Sequence, residues 1–152
     1  PSGLTRAYYA ALMGHSVTVF EANHLLGGMM RYGIPAYRFP RERLDEDIRA
    51  VLSVGNIEVK CDVRIDAVAM AKINDEFDAV YVAIGAQLGK TLKLENGDAE
   101  GVVSAVGLLQ KIGDGDYPDF SGKKVVVVGG CYGLRANLGS CWRIGGYGCV
   151  SS

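Results

Sequence analysis

Apolar and polar positions along this 152-residue chain change period repeatedly, and each change marks an element. Residues 4–13, LTRAYYAALM, predict a short apolar helix that ends at Gly14, a glycine placed to cap its C-terminus. HSVTVFEA follows as a buried strand closing on a carboxylate at Glu21. Residues 22–40 carry glycine pairs and prolines and predict an ordered loop. From Arg41 to Val54 the residues Leu44, Ile48, Val51 and Leu52 share one helical face, the acids and arginines take the other, and Gly55 follows the end. IEVKCDVRI predicts one bent strand or a hairpin, DAVAMAKI a short helix, and FDAVYVAIGA a buried strand that exits through Gly85. A turn-rich stretch around ENGDAEG leads to the helix SAVGLLQKI, then to a valine strand in KKVVVVGG. Strands alternating with helices predict an α/β fold with a mostly parallel sheet.

Composition narrows the class without adding chemistry. Hydrophobic residues make up 49% and charged residues 22%, and the formal net charge of −1 argues against a nucleic-acid or anionic-membrane surface. The longest apolar runs are strand-sized, well below the ~20 residues of a membrane span, so the expected location is cytoplasmic. Cys61, Cys131, Cys141 and Cys149 are too far apart for a paired-cysteine metal or iron–sulfur motif and are read as free thiols.

The candidate chemistry lies in the turns. Pro1, Ser2 and Gly3 lead straight into the first helix, where free backbone N–H groups and the helix dipole favour a pyrophosphate. Glu21 ends the next strand, where a carboxylate can accept both hydroxyls of an adenosine ribose, although a solvated strand-end acid reads the same way. In GGMMRYGIPAYRFP, Gly27 and Gly28 permit close backbone approach to a cofactor, Met29 and Met30 offer polarizable apolar surface, and Arg31 can meet a phosphate. The alternative is an Ω-like loop whose tyrosines and methionines are core. YVAIGA, ending in small residues, suits a chain passing close beside a bound dinucleotide, or any central strand with a glycine exit.

PSGLTRAYYAALMGHSVTVFEA, LGGMMRYGIPAYRFPRERLDEDI, VYVAIGA and GKKVVVVGG, in this order, resemble the small (beta) chain of NADPH-dependent glutamate synthase and related FAD/NAD(P)-dependent oxidoreductases. The resemblance covers residues 1–130, with YGIPAYRFP its most specific part. It implies a Rossmann-like FAD-binding domain interrupted by an NAD(P)H-binding one. It also implies hydride transfer from NAD(P)H to FAD, and electrons passed through iron–sulfur clusters, outside these residues, to a partner chain. On this likeness Ser2 and Gly3 fall at the FAD pyrophosphate turn and Glu21 with Ala22 at the ribose contact. Gly27, Gly28, Met29 and Arg31 fall on the loop past the diphosphate and flavin, and Val63 where backbone meets adenine. Ala83 and Gly85 form the small-residue exit, and Gly129 and Gly130 begin the nicotinamide turn. No side chain stands out as an acid–base catalyst, in keeping with hydride transfer as cofactor chemistry.

The resemblance also sets expectations about organisation: a partial FAD-binding domain over 1–121, the first strand and turn of an NAD(P)H-binding domain over 122–130, and an atypical tail over 131–152. The family's first strand and first two turn glycines would precede Pro1, so the chain reads as a fragment, truncated at its first strand and expected to be inactive alone. With suitable synonymous codons, the residues from Tyr132 onward read one base later as MDCARTSVRAGASVVMA, a family-like helix and strand. A frameshift near Cys131 is therefore the expectation for 131–152, with true divergence as its rival. Against the oxidoreductase stands a second class, a non-catalytic nucleotide-binding or interaction module without flavin.

Overall fold

A computed structural model describes residues 1–89, 95, 97 and 99–127. It contains helices α1 (Ser2–Leu12), α2 (Met29–Tyr32), α3 (Arg41–Leu52), α4 (Ala67–Glu76) and α5 (Ala105–Gly113), and strands β1 (Val17–Phe20) and β2 (Ile57–Lys60). The strands pair in parallel, with Val17 opposite Ile57 and Phe20 opposite Lys60. A parallel pair needs a crossover, and α2 and α3 supply it. The fold is thus mixed helix and strand around a small parallel sheet.

Local rules account for the helix ends. α1 closes with His15 N–H donating to the Ala10 carbonyl at 3.1 Å and Gly14 N–H to Ala11 at 2.9 Å. That double return requires the left-handed backbone at Gly14, whose φ is +90°. α3 begins after Pro40 and turns Leu44 and Ile48 inward, as its apolar period predicts. Asp66 caps α4 through its side chain, which accepts from Ala69 N–H at 2.8 Å. The core is small: Ala7 and Ala11 of α1, Leu44 and Ile48 of α3, and Tyr32 of α2. α1 packs on β1 and β2 and also on α3, and its alanines allow that close approach.

Three expectations are corrected or narrowed. FDAVYVAIGA is not a buried strand: its described residues run extended without a ladder partner, and Ile84 is 78% exposed. A run of apolar residues becomes a strand only when neighbouring backbone satisfies its N–H and C=O groups, and among the described residues no strand pairs with it. The valine strand likewise finds no pairing over residues 123–127, where Val126 is exposed. The expected bent strand or hairpin in IEVKCDVRI is one short strand, after which Asp62 N–H and Val63 N–H bond back to the carbonyls of Asn23 and Glu21. Residues 128–130, and the tail over 131–152, lie outside the described residues.

Candidate functional site

The turn through Gly14 reverses the chain between α1 and β1, which pack together. The start of α1 is thereby sent toward the end of the sheet where both strands finish. α1 has Pro1 at its N-cap position, and no side chain caps its first turn. Thr5 N–H takes the Pro1 carbonyl at 3.0 Å, which leaves the N–H groups of Ser2, Gly3 and Leu4 without an intrahelical acceptor. Two other segments close on this helix start. A methyl group at Gly3 would sit 3.3 Å from the Ala83 side chain, and one at Gly28 would sit 3.5 Å from the Pro1 ring. Ser2, Gly3, Gly28 and Ala83 therefore converge from three separate segments, and the two glycines keep the approach tight. Gly28 has φ 55° and ψ −138°, a backbone that glycine adopts without a steric penalty.

Glu21 follows β1 directly. Its amide donates to Lys60 O at 2.9 Å, and its carbonyl accepts Val63 N–H at 2.9 Å. One carboxylate oxygen, Oε1, accepts Asn23 N–H at 2.9 Å. Oε2 accepts no hydrogen bond among the described residues. Glu21 and Val63 are thus neighbours at the carboxyl ends of both strands, where open α/β sheets present their ligands. Ala22 is exposed beside them. Cys61 lies close by with its thiol pushed up by burial and by the charges of Glu21 and Asp62, so it is not set up as a thiolate nucleophile. A groove of about 490 Å³ between residues 16–18 and 56–58 opens at the opposite ends of the strands.

The loop carrying Gly27, Gly28, Met29 and Arg31 is organised differently from its sequence reading. Met29–Tyr32 form a single helical turn where an irregular loop is expected. Arg31 is 5% exposed; its Nε donates to Leu26 O at 2.7 Å and its Nη2 engages Asp45 of α3. Arg41 reaches back from α3 to the carbonyls of Met30 and Ile34 at 2.9 and 2.8 Å. Burial, with Arg31 nearby, pushes the Arg41 guanidinium below its usual value. Gly27 fits under this arrangement, because a Cβ there would come within 3.0 Å of Leu44 and 3.1 Å of Arg31. Met29 folds back over Gly33. Arg31 is therefore brought into the loop's own support and not to the helix start. Gly85, with φ +65°, is exposed beyond Ala83, and Gly129 and Gly130 fall outside the described residues.

Sequence reasoning missed Asp45, Arg41 and Tyr32. The Tyr32 hydroxyl accepts from Leu25 N–H at 3.2 Å and donates to Leu25 O at 3.3 Å, and burial pushes its pKa up to about 12. Asp45 and Arg41 read in sequence as ordinary charges on a solvated helix face; only the tertiary contact distinguishes them. No cluster of three or more metal-ligating side chains is present among the described residues, and no helix there is long and apolar enough to cross a membrane.

No protein-family model matches the chain. The chain is 36% identical over 133 residues to the beta subunit of NADP(+)-dependent formate dehydrogenase from Moorella thermoacetica. It is 39% identical over 136 residues to the beta subunit of NADPH-Fe(3+) oxidoreductase from Geobacter sulfurreducens, and 34% identical over 143 residues to the small chain of glutamate synthase [NADPH] from Mycobacterium tuberculosis. Each match takes in 86% of this chain but only 19%, 20% and 29% of the respective relative, so the chain spans between a fifth and a third of their length. Identity at this level over most of the chain places it in the family of glutamate synthase small chains and NADPH-dependent oxidoreductase beta subunits.

Proposed function

We propose that these residues form the FAD-binding part of an oxidoreductase that takes hydride from NAD(P)H and passes electrons to a partner chain, as in glutamate synthase. The observation that carries the reading is the convergence of the uncapped α1 start with Gly28 and Ala83. Three N–H groups without an acceptor among the described residues and a positive dipole end suit a pyrophosphate, and glycine on either side leaves room for it. Glu21 fits the ribose, because Oε2 has no hydrogen-bond partner among the described residues and Oε1 keeps a second lone pair. The Val63 N–H is held by the Glu21 carbonyl, which leaves the Val63 carbonyl as the backbone group that suits an adenine edge. Bound FAD supplies the hydride chemistry; this chain's residues bind and orient it. Names of the relatives support NAD(P)H use and a partner subunit, since formate dehydrogenase and NADPH-Fe(3+) oxidoreductase matches are beta subunits.

The rest of the reading is of the same kind. A Rossmann-like domain over 1–121, a nicotinamide domain starting at 122–130, iron–sulfur clusters elsewhere in the protein and a cytoplasmic location accord with this assignment. Arg31 is assigned a supporting role in the loop in place of a phosphate contact. The test is Glu21→Ala in a protein extended upstream of Pro1 by the strand and glycine turn that the family resemblance implies. Losing a charged acceptor weakens FAD binding by about 1–3 kcal/mol. Unchanged FAD affinity refutes the ribose assignment. A protein that binds adenine nucleotides but never flavin would support the non-catalytic module instead.

A further inference from the structure

The site depends on where Gly28 lies, and the loop that carries Gly28 is held by a helix far along the chain. α5 ends at Gly113 against the Tyr32 ring. A Cβ at Gly113 would overlap the ring edge and come within 3.1 Å of the Tyr32 Cα. Gly113 has no positive φ, so glycine is required here for space and not for backbone freedom. From the preceding turn of α5, Gln110 Nε2 donates to Asn23 Oδ1 at 2.8 Å. Asn23 in turn donates its N–H to Glu21 and accepts Asp62 N–H through its carbonyl. Tyr32 is 2% exposed, and its hydroxyl makes both bonds of the clasp to Leu25. One helix thus touches both ends of the 23–32 segment: the ribose side at Asn23, next to Glu21, and the glycine side at Tyr32, one turn after Gly28.

We infer that α5, through Gly113 against Tyr32 and Gln110 on Asn23, is the buttress that sets the cofactor loop, with Tyr32 its positioning residue. This rests on the FAD reading for its functional meaning, but the buttress has a readout of its own. Nothing in the local sequence of RYG or QKIG signals the contact, since the two meet only in the folded chain.

The test uses Gly113→Ala and Tyr32→Phe, with Gly107→Ala as control. Gly107 lies on the same helix, but a Cβ there would meet nothing closer than the Ser104 Cβ at 4.0 Å. In the chain itself, amide hydrogen exchange at Leu25 and across 28–32 is expected to rise roughly tenfold in Gly113→Ala and at Leu25 in Tyr32→Phe, the loss of about one net hydrogen bond. Exchange across α3 and β1 stays as in the wild type, and Gly107→Ala changes nothing in the loop. In the upstream-extended protein, Gly113→Ala is expected to weaken FAD binding several-fold, with the denaturant midpoint of α3 unmoved. If the wild type binds no FAD, the cofactor reading fails while the exchange data still decide the buttress. If the wild type binds FAD and Gly113→Ala leaves both exchange and affinity unchanged, the buttress is overturned. Should Gly113→Ala not fold, Gln110→Ala decides, because it removes the bond from α5 to Asn23; exchange at Asn23 and across 28–32 unaltered from the wild type overturns the inference.

Discussion

Replacing Asp45 by alanine removes the carboxylate that engages a nearly buried guanidinium. Arg31 is 5% exposed and Asp45 49% exposed, so the charge left behind is desolvated on one side only. Breaking a fully buried pair by deleting one partner costs about 3–5 kcal/mol, and an exposed pair about 0–1. With one partner buried and the other half in water, about 2–3 kcal/mol is expected. Arg31 keeps its bond to Leu26 O at 2.7 Å, which places the cost at the lower end. For a chain of this size, roughly 2–4 °C of Tm accompanies each kcal/mol, so a cost of about 2 kcal/mol lowers the Tm of Asp45→Ala by about 4–8 °C. Asp45→Asn retains an acceptor and falls between wild type and alanine. The double variant Arg31→Met, Asp45→Leu removes both charges and recovers most of the loss. Urea melts measure this, with wild type, Arg31→Met, Asp45→Leu and the double variant read as a double-mutant cycle beside Asp45→Ala and Asp45→Asn. A loss below about 0.5 kcal/mol in Asp45→Ala, with no coupling in the cycle, refutes the view that Arg31 supports the loop and returns it to the set of phosphate ligands.

Three further outcomes follow from named contacts. Asp66→Ala removes the cap bond to Ala69 N–H at 2.8 Å and lowers stability by about 1 kcal/mol, with faster exchange confined to the first turn of α4 as the check. His24 Nδ1 lies 2.9 Å from Asp62 Oδ2, and that hydrogen bond, then the Asp62 charge, raises the His24 pKa above 6.5. A raised folded value means the contribution of the His24–Asp62 pair is fully present below 6.5 and is lost as pH rises through the folded pKa. An NMR titration of His24 should show a midpoint above 6.5 that Asp62→Asn abolishes. Sequencing the DNA that encodes residues 128–136 should reveal a shifted frame near Cys131; codons incompatible with the MDCART reading would remove that expectation.

How much of this was legible in the sequence depended on the range of the forces involved. Gly14 and the apolar period of α3 act within a few residues, and the structure forms both where the pattern puts them. Residues 79–84 carry the apolar run of a central strand, yet a strand is defined by neighbours that the run does not encode. α2 was hidden because Gly28 and Gly33, which flank it, read as turn residues, while the turn is held by Arg31, Tyr32 and Arg41 from inside and from α3. Of the candidate site, only the grouping of residues can be set beside the structure. Gly3, Gly28 and Ala83 are brought together, as are Glu21 and Val63. Arg31 was chemically plausible as a phosphate ligand, and only a carboxylate fourteen residues away in α3 directs it elsewhere. Gly113 gave no signal, because its requirement is the volume of the Tyr32 ring.

The most direct test of the site as drawn is an FAD titration of the upstream-extended protein, followed residue by residue through backbone amide shifts. The account predicts saturable binding with the largest shifts at Ser2, Gly3, Gly28, Glu21 and Val63, and small ones at Ser16, Asn56 and Ile57, which line the groove at the other end of the strands. Saturable binding that moves the groove residues and leaves Gly3, Gly28 and Glu21 unshifted would contradict it.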